Sequence, residues 1–336
     1  MKLAFAGAGT ISVVHAMAAA AVEAEIVAVA SRTSERATER AGQVGAAVVA
    51  FEDLPAGADA VVVCTPPDRH TADTLQALRA GAVVLVEKPL ATTLAEADAI
   101  VDAGGGQVIY AENLAFSPLV VATNELVRAI GAPNFIEIRQ LSPRPSWGEF
   151  LDPARGGGVL FDLGSHAVAL ALLLAGADAP VSVEATMSRS ADIEVDDAAE
   201  VFITFASGMR ARIETNWTNP HAVWDLQVSS DSGVVRTELM PQPGIEHNGE
   251  PVALPALASA ADPHLEHYGY IGQMLTLRDV VGGAPSPIDA RFGRRVLDVL
   301  SAAYTAASKP GSTVSLPFAG PRNRTPHQLW SDTVGP

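Results

Sequence analysis

Two glycines separated by one residue, Gly7 and Gly9, follow a short apolar run, Leu3–Ala6, near the start of the chain. A helical pattern, Ile11–Ala21, comes next. Glycine permits the tight turn between strand and helix, and it lets an anion approach the N–H groups at the helix N-terminus. Ser12 stands where the full fingerprint has a third glycine, and so small a residue still allows the helix to pack closely on the strand. The turn therefore predicts a pyrophosphate-binding βα unit, and an ordinary βα turn without a ligand is the alternative.

The first 115 residues alternate continuous apolar runs with helical patterns. Continuous apolar runs are typical of strands that are buried on both faces of a parallel sheet. The runs are Leu3–Ala6, Ile26–Ala30, Ala60–Cys64, Val83–Val86 and Val108–Tyr110. This alternation predicts an α/β domain over residues 1–115, a doubly wound parallel sheet of the Rossmann type that binds a dinucleotide.

Beyond residue 115 the pattern changes. Segments such as Arg210–Trp217 alternate polar and apolar residues, which indicates an antiparallel sheet covered on one side. Helices are predicted at Val159–Leu174, His264–Val281 and Arg291–Ala307, followed by an irregular Pro-rich tail. We therefore predict a second domain over residues 116–336.

Charge and cysteine content exclude several classes of partner. The formal net charge of the 336 residues is −16, which repels nucleic acid and anionic membranes. Cys64 is the sole cysteine, so an internal disulfide is impossible, as suits a reducing cytoplasm. No run of about 18 uncharged apolar residues occurs. We expect a cytoplasmic protein without a nucleic-acid or membrane partner.

The residues after the second predicted strand bear on the cofactor. An NAD site usually has Asp or Glu there, which binds the ribose 2′-hydroxyl. This chain has Ser31 and Arg32 instead. A hydroxyl and a guanidinium suit a 2′-phosphate, so NADP(H) is favoured. If Arg32 only stacks on adenine, both NADP(H) and NAD(H) bind.

One lysine stands out at the end of a predicted buried strand. Of the 22 basic residues three are lysines, and one of these is Lys88, between Glu87 and Pro89. The carboxyl edge of such a sheet is where ligands bind. Because the chain otherwise uses arginine, Lys88 indicates a need for an ammonium group.

Asp162 and His166 are four residues apart in a predicted helix, so they share one face. Glycines 156–158 precede them and allow close backbone approach, and Gly164 leaves room for a ligand over the helix. Imidazole is suited to accept a proton near neutral pH. A buried histidine held by an aspartate is the alternative. No zinc-type spacing appears, so no metal is predicted.

The order and spacing of four motifs resemble the glucose–fructose oxidoreductase / inositol dehydrogenase / MocA (Gfo/Idh/MocA) family. The motifs are Gly7–Ser12, Cys64–His70, Glu87–Pro89 and Gly156–His166. The resemblance covers nearly the whole chain. It implies an N-terminal Rossmann domain and a C-terminal α/β domain, residues 116–336, that binds substrate. The second domain would have a large, open, mainly antiparallel sheet, through which homodimers or homotetramers form.

The resemblance also implies an activity. Members interconvert a secondary alcohol and a ketone on a sugar, cyclitol or related polyol, using a nicotinamide cofactor. Lys88 would contact the substrate and the nicotinamide ribose, and Asp162 and His166 would complete the catalytic set. An NAD-assisted glycoside hydrolase or lyase of the same fold, or a non-enzymatic cofactor-binding protein, stays open as an alternative.

Further residues are candidates for contacts with ligands. The predicted cofactor contacts are Gly7, Gly9, Thr10, Ile11, Ser31, Arg32, Thr65, Pro66, His70, Glu87, Lys88 and Asn113. Candidate substrate contacts are Arg144, Trp147 and Tyr268. The acidic pair Asp196 and Asp197 is interpreted as solvated.

Overall fold

A computed structural model describes residues 1–146, 149–254, 256–257 and 262–331, and strands alternate with helices through the first 111 residues. The strands are β1 (Lys2–Ala6), β2 (Glu25–Ala30), β3 (Ala47–Val48), β4 (Ala60–Val63), β5 (Val83–Glu87) and β6 (Val108–Ala111). The helices are α1 (Thr10–Ala21), α2 (Ser34–Val44), α3 (Pro67–Arg79) and α4 (Leu94–Gly104). The strands form a parallel sheet in the order β3-β2-β1-β4-β5-β6. This is the doubly wound order of a dinucleotide-binding fold, and it confirms the predicted Rossmann architecture.

The strands that the structure describes beyond residue 111 form a second sheet. The helices and strands of this part of the chain begin with α5 (Pro118–Ile130), β7 (Phe135–Pro143), α6 (Val159–Ala175), β8 (Pro180–Ser188), β9 (Ala198–Phe205), β10 (Arg210–Asn216), β11 (Thr218–Ser230), β12 (Gly233–Met240), β13 (Gly244–His247) and β14 (Glu250–Pro251). They are followed by α7 (Pro263–His267), α8 (Tyr270–Val281), α9 (Ala290–Ala307), β15 (Val314–Ser315) and α10 (Pro326–Ser331).

The chain divides into two compact units. Unit 1 comprises residues 1–117 and 257–294, and unit 2 comprises residues 118–256 and 295–336. The sequence-based boundary assigned all residues after 115 to the second domain, whereas a helix within the range 257–294 packs with the Rossmann sheet. The reason is α8, which contributes Met274, Leu277 and Val280 to the same core cluster as Leu3 and Phe5. An amphipathic pattern shows that a helix has an apolar face but not which sheet that face covers.

Unit 2 is built on a nine-stranded sheet in the order β14-β13-β12-β11-β7-β10-β9-β8-β15. β7 and β10 run parallel, and the other neighbouring strands run antiparallel, which confirms the mainly antiparallel sheet. α6 packs on β7, β9 and β10. The face beneath it is apolar, with Ile138 and Ile213 buried. The stretch Pro153–Ala175 is long and apolar enough to cross a membrane, but 89% of its apolar 18-residue window is buried inside the fold, and this burial accounts for its composition.

Two predictions for the last third of the chain were wrong in detail. The helix predicted over His264–Val281 is two helices, α7 and α8, separated at Gly269. Gly269 has φ +82°, and a Cβ there would lie 2.0 Å from the carbonyl oxygen of Asn113, so the chain turns where no side chain fits. The tail is not wholly irregular, because β15 pairs with β8 and α10 follows.

Candidate functional site

The turn after β1 is packed against the end of β4. Gly7 has φ +111°, and a Cβ on it would lie 2.7 Å from the carbonyl carbon of Cys64 and 2.8 Å from the backbone nitrogen of Thr65. The Gly7 N–H donates to the carbonyl oxygen of Ala30 at the end of β2, 2.8 Å away. Gly7 therefore brings the ends of three strands together at the turn, and no other residue fits there.

Gly9 has a different role from Gly7. It precedes Thr10 and Ile11 as the N-cap of α1, where no side chain caps the helix. A Cβ on Gly9 would meet no atom of the described residues within 4 Å, so they leave the space before the helix N-terminus open. An uncapped N-terminus facing open space fits a phosphate of the dinucleotide.

Ser12, at the third position of the fingerprint, holds the turn from within the fold. Its Oγ donates to the carbonyl oxygen of Gly9 at 2.6 Å and accepts from Nε of Arg40 at 3.1 Å. Arg40 is a buried residue of α2, which ties this helix to the phosphate turn. Sequence reasoning missed Arg40, because an arginine in an amphipathic surface helix gives no sign that it points inward.

Ser31 and Arg32 follow β2, at the carboxyl edge of the sheet. The Ser31 hydroxyl accepts from the Thr33 N–H at 3.3 Å. The Arg32 side chain is exposed, and within the described ranges no acidic residue forms an ion pair with it. The guanidinium is thus placed where it can receive an anionic group.

Thr65 and Pro66 form the turn between β4 and α3, and His70 lies in the first turn of α3. The Thr65 hydroxyl donates to Asp73 at 2.9 Å. The two ring nitrogens of His70 lie 2.8 Å from the carbonyl oxygens of Thr65 and Pro89. Burial lowers the pKa of His70, although both carbonyls oppose this shift. Because the ring is enclosed, His70 serves to join this turn to the segment that carries Lys88.

Glu87 is a buried carboxylate at the end of β5. It accepts from Nε2 of His15 at 2.7 Å and from the backbone N–H of Lys88 at 3.1 Å. Burial favours the neutral carboxyl, but the hydrogen bond and charge of His15 prevail and hold the pKa of Glu87 below its ordinary value. The Lys88 side chain is half-buried. His15 lies inside α1 and stacks edge-on to Tyr270 at 5.8 Å between ring centroids, a role that the sequence did not indicate.

Asn113 and Tyr268, 155 residues apart in the chain, lie side by side in unit 1. The Asn113 amide donates to the Tyr268 carbonyl oxygen at 2.7 Å. Asn113 is buried and Tyr268 half-buried, and burial raises the pKa of the Tyr268 phenol. The structure thus brings together a predicted cofactor contact and a predicted substrate contact.

Asp162 and His166 lie in the first turns of α6, in unit 2. Asp162 is half-buried and His166 is buried. The centroid of the His166 ring lies 6.0 Å from the ring centroid of Trp224. A Cβ at Gly164 would lie 2.4 Å from Cδ1 of Leu160, so the absent side chain makes room for Leu160. Room for a ligand over this position stays a prediction.

Three further sequence interpretations have different outcomes. Asp196 and Asp197 are not solvated, because both are buried in unit 2. Arg144 is engaged with acidic partners, with Nη1 2.6 Å from Asp192 and Nη2 3.6 Å from Asp197. This engagement leaves the candidate substrate role of Arg144 a prediction. Trp147 lies outside the described residues.

Comparisons with known proteins give the chain its family. A family model described as an oxidoreductase family with an NAD-binding Rossmann fold matches residues 1–105. A second model, the GFO/IDH/MocA C-terminal domain, matches residues 122–236. The chain belongs to the GFO/IDH/MocA oxidoreductase family. The resemblance inferred from the four motifs is thereby confirmed, as is the identification of the protein as a nicotinamide-dependent oxidoreductase that acts on CH–OH groups.

Relatives in this family are named as dehydrogenases. D-xylose 1-dehydrogenase (NADP(+)) 2 of Haloferax volcanii is 31% identical over 267 residues, which cover 76% of this chain and 79% of that protein. Inositol 2-dehydrogenase of Rhizobium meliloti is 31% identical over 224 residues, covering 62% and 67%. The structure of GenD2 from gentamicin A biosynthesis in complex with NAD has a TM-score of 0.82 at 26% identity, covering 94% of this chain and 96% of that one.

Across the ranges that the structure describes, no three His, Cys, Asp or Glu residues are grouped so that they could hold a metal ion.

Proposed function

We propose that the protein interconverts a secondary alcohol and a ketone on a sugar, cyclitol or related polyol, with Lys88, Asp162 and His166 as its catalytic set. The observation that carries the proposal is the pairing of Asp162 and His166 on one face of α6, at the N-terminal end of a buried helix. The dehydrogenase relatives support the class of substrate. The proposed location is the cytoplasm.

The three side chains have distinct chemistry. Oxidation of a secondary alcohol requires loss of the hydroxyl proton, and imidazole is suited to accept it, so we assign His166 as the general base. The Lys88 ammonium would stabilise the oxygen as negative charge develops on it. Asp162 would accept a hydrogen bond from a neighbouring hydroxyl and orient the substrate. When bound, the nicotinamide supplies the hydride acceptor or donor. In ketone reduction His166 would return the proton.

Cofactor preference is part of the proposal. We expect NADP(H) to be preferred, because Arg32 is exposed at the end of β2 and the position before it is Ser31 and not an acid. Arg32→Ala should raise the KM for NADP by about 10-fold or more, the scale of a lost charge-assisted hydrogen bond, and leave the KM for NAD largely unchanged. Steady-state kinetics with both cofactors measure this. The exposed Arg36 of the neighbouring α2 provides the control variant Arg36→Ala. Equal loss with NAD and NADP in Arg32→Ala would contradict the preference.

The catalytic assignment is tested with a panel of polyols, sugars and keto-sugars, assayed by nicotinamide absorbance. Lys88→Ala and His166→Ala should each lower kcat by about 100- to 10,000-fold, the usual contribution of such groups, while the Kd for the cofactor stays largely unchanged. Matched controls are Lys309→Ala and His221→Ala, which remove an exposed lysine and an exposed histidine. Turnover within a few-fold of wild type in either active-site variant would reject the assignment.

The same assay separates the alternative activity. A hydrolase or lyase that uses a tightly held NAD would consume substrate without net change in nicotinamide absorbance. Purified protein would then carry about one cofactor per chain through extensive washing. Net cofactor turnover that matches product formation supports the dehydrogenase instead.

A further inference from the structure

The helix that bears Asp162 and His166 begins without a cap of its own. Its N-cap is Gly158, which has φ +120° and no side chain to accept a hydrogen bond. The first four N–H groups of an α-helix lack partners within the helix, and a buried helix end needs partners from elsewhere. In α6 those partners come from a loop 36 residues further along the chain and from α9.

Asp196 supplies two of these partners. Its backbone carbonyl oxygen accepts from the Val159 N–H at 2.9 Å, and its carboxylate Oδ2 accepts from the Leu160 N–H at 2.8 Å. Asp196 is fully buried between β8 and β9. A buried carboxylate is costly unless it is hydrogen-bonded, and here the helix N-terminus provides donors and a favourable dipole.

Tyr304 completes the arrangement. Its hydroxyl donates to Asp196 Oδ1 at 2.7 Å and makes a hydrogen bond with the backbone of Phe161. The next N–H, that of Asp162, donates to the carbonyl oxygen of Gly158 at 3.0 Å and begins the regular helical pattern. Asp196 and Tyr304 together therefore bind the backbone of the three residues that precede Asp162.

Gly158 is explained by the same contacts. A Cβ at this position would lie 2.0 Å from Asp196 Oδ1 and 2.9 Å from the Tyr304 hydroxyl. The last of the three glycines therefore admits the Asp196 carboxylate to the helix end. The close backbone approach predicted from the sequence is real, but the group that approaches is a side chain of this chain.

We propose that Asp196 and Tyr304 are positioning residues that fix the start and rotation of α6, and through them the placement of Asp162 and His166. This inference rests on the proposed function for its catalytic consequence. A shift of the first turn by a fraction of an ångström would move Asp162, which lies in that turn, and also His166, which lies one turn further along the helix. Misplacement on the order of 1 Å can cost about 100-fold in rate, so the effect should appear in kcat.

Three variants test the proposal. Asp196→Ala removes the side-chain contacts and should lower kcat by about 100-fold. Tyr304→Phe leaves Asp196 in place and should have a smaller effect in the same direction. Asp196→Asn should be close to wild type, because the amide oxygen can accept from Leu160 while its NH₂ donates to Tyr304. The Kd for the cofactor should not change in any of them.

The matched control is Tyr110→Phe. Tyr110 is as fully buried as Tyr304, but its hydroxyl has no hydrogen-bond partner among the described residues, so the same atom is removed without breaking a contact seen there. A positioning role predicts that kcat falls in Tyr304→Phe and not in Tyr110→Phe. It also predicts that Asp196→Asn keeps a kcat close to that of the wild type. If the site needed a negative charge at position 196, kcat would fall in this variant too. Wild-type kcat in Asp196→Ala, or an equal fall in both tyrosine variants, would overturn the proposal.

Amide hydrogen exchange of residues 156–163, measured by mass spectrometry, gives a readout that does not depend on the substrate. Exchange of the first-turn amides should be faster in Asp196→Ala and Tyr304→Phe than in wild type, and slow in Asp196→Asn. If the wild type turns over no substrate on the panel, the proposed function fails and exchange alone decides the anchoring role. If Asp196→Ala does not fold, Tyr304→Phe against Tyr110→Phe decides it. Unchanged exchange in the anchoring variants would overturn the proposal.

Discussion

At the scale of single residues, Asp196 combines a charge with complete burial. Burial raises the pKa of Asp196 from 3.8 to about 6, although the hydrogen bonds from Leu160 and Tyr304 lower it. The native protein therefore holds this proton more tightly than the unfolded chain does. Ionisation of Asp196 destabilises the native state, and it takes place in the pH range where the structure must still anchor α6.

Replacing Asp196 with Asn should change how stability depends on pH. In the wild type, the contribution of Asp196 to the free energy of unfolding falls as pH rises from about 4 to about 6 and is not regained above that range, because the pKa of Asp196 is raised in the folded state. Asparagine does not ionise. The free energy of unfolding of Asp196→Asn, relative to wild type, should therefore rise by up to about 3 kcal/mol between pH 4 and pH 7.

Tryptophan fluorescence in urea measures this difference in the relevant unit, because all four tryptophans of the sequence fall in the residue ranges of unit 2. Asp231→Asn, at an exposed aspartate of unit 2, controls for the loss of one carboxylate. A difference between Asp196→Asn and wild type that stays constant from pH 4 to pH 7 would contradict the prediction.

Residues whose roles depend on distant partners are the ones that the sequence did not indicate. The spacing of Asp162 and His166 predicted their shared face, because the helical period fixes it. The roles of Asp196, Tyr304 and Arg40 depend on contacts across 28 to 108 positions of the chain. No local period encodes such contacts, so Asp196 was interpreted as an ordinary solvated acid.

At the scale of elements, the turn from β1 to α1 uses its two glycines for different purposes. The motif predicts a phosphate-binding turn, but it does not separate the glycine that the fold needs from the one that the ligand needs. The surroundings of the two positions differ. Gly7 has a positive φ and faces the backbone of Cys64 and Thr65, just after β4, whereas Gly9 has an ordinary φ of −76° and faces open space among the described residues.

Alanine at these two positions should therefore give different results. Gly7→Ala places a Cβ 2.7 Å from the Cys64 backbone at an unfavourable φ, and should destabilise unit 1 by about 1–3 kcal/mol and weaken cofactor binding. Gly9→Ala should leave stability nearly unchanged and weaken cofactor binding at least about 10-fold, because the methyl group enters the space for the phosphate.

Calorimetric unfolding and cofactor titration measure the two effects. Gly42→Ala in α2 is the control, since nothing lies within 4 Å of its Cβ either and it is away from the turn. If Gly9→Ala binds cofactor as wild type does, Gly9 does not face the phosphate. If Gly7→Ala is as stable as Gly9→Ala, the close packing against Cys64 does not restrict position 7 to glycine.

At the scale of the whole molecule, the nine-stranded sheet has a polar face opposite the helices. Arg212 stands at the centre of this face, with Nη1 2.7 Å from Glu137, and with Nη2 2.7 Å from Glu200 and 3.2 Å from Glu214. Phe202 lies on the same sheet with the Arg210 guanidinium 4.8 Å from its ring centroid. Arginine and aromatic side chains are enriched in contacts between protein chains, so their presence on a broad sheet favours a contact with a second copy.

A homodimer or homotetramer formed through this face stays a prediction, and Arg212 is the residue that tests it. With a net charge of −16, two copies repel each other at long range, so the basic side chains of a shared face carry much of its electrostatic complementarity. Arg212→Glu would set a fourth carboxylate among three, and should shift the mass measured by light scattering from oligomer to monomer. Arg36→Glu, which makes the same charge change on the exposed side of α2, should keep the wild-type mass.

Circular dichroism shows whether Arg212→Glu has kept its sheet. If it has not, Arg212→Gln, which adds no negative charge, replaces it in the measurement. A wild type that is monomeric at all concentrations, or a folded Arg212→Glu of unchanged mass, would show that oligomers do not form through this face.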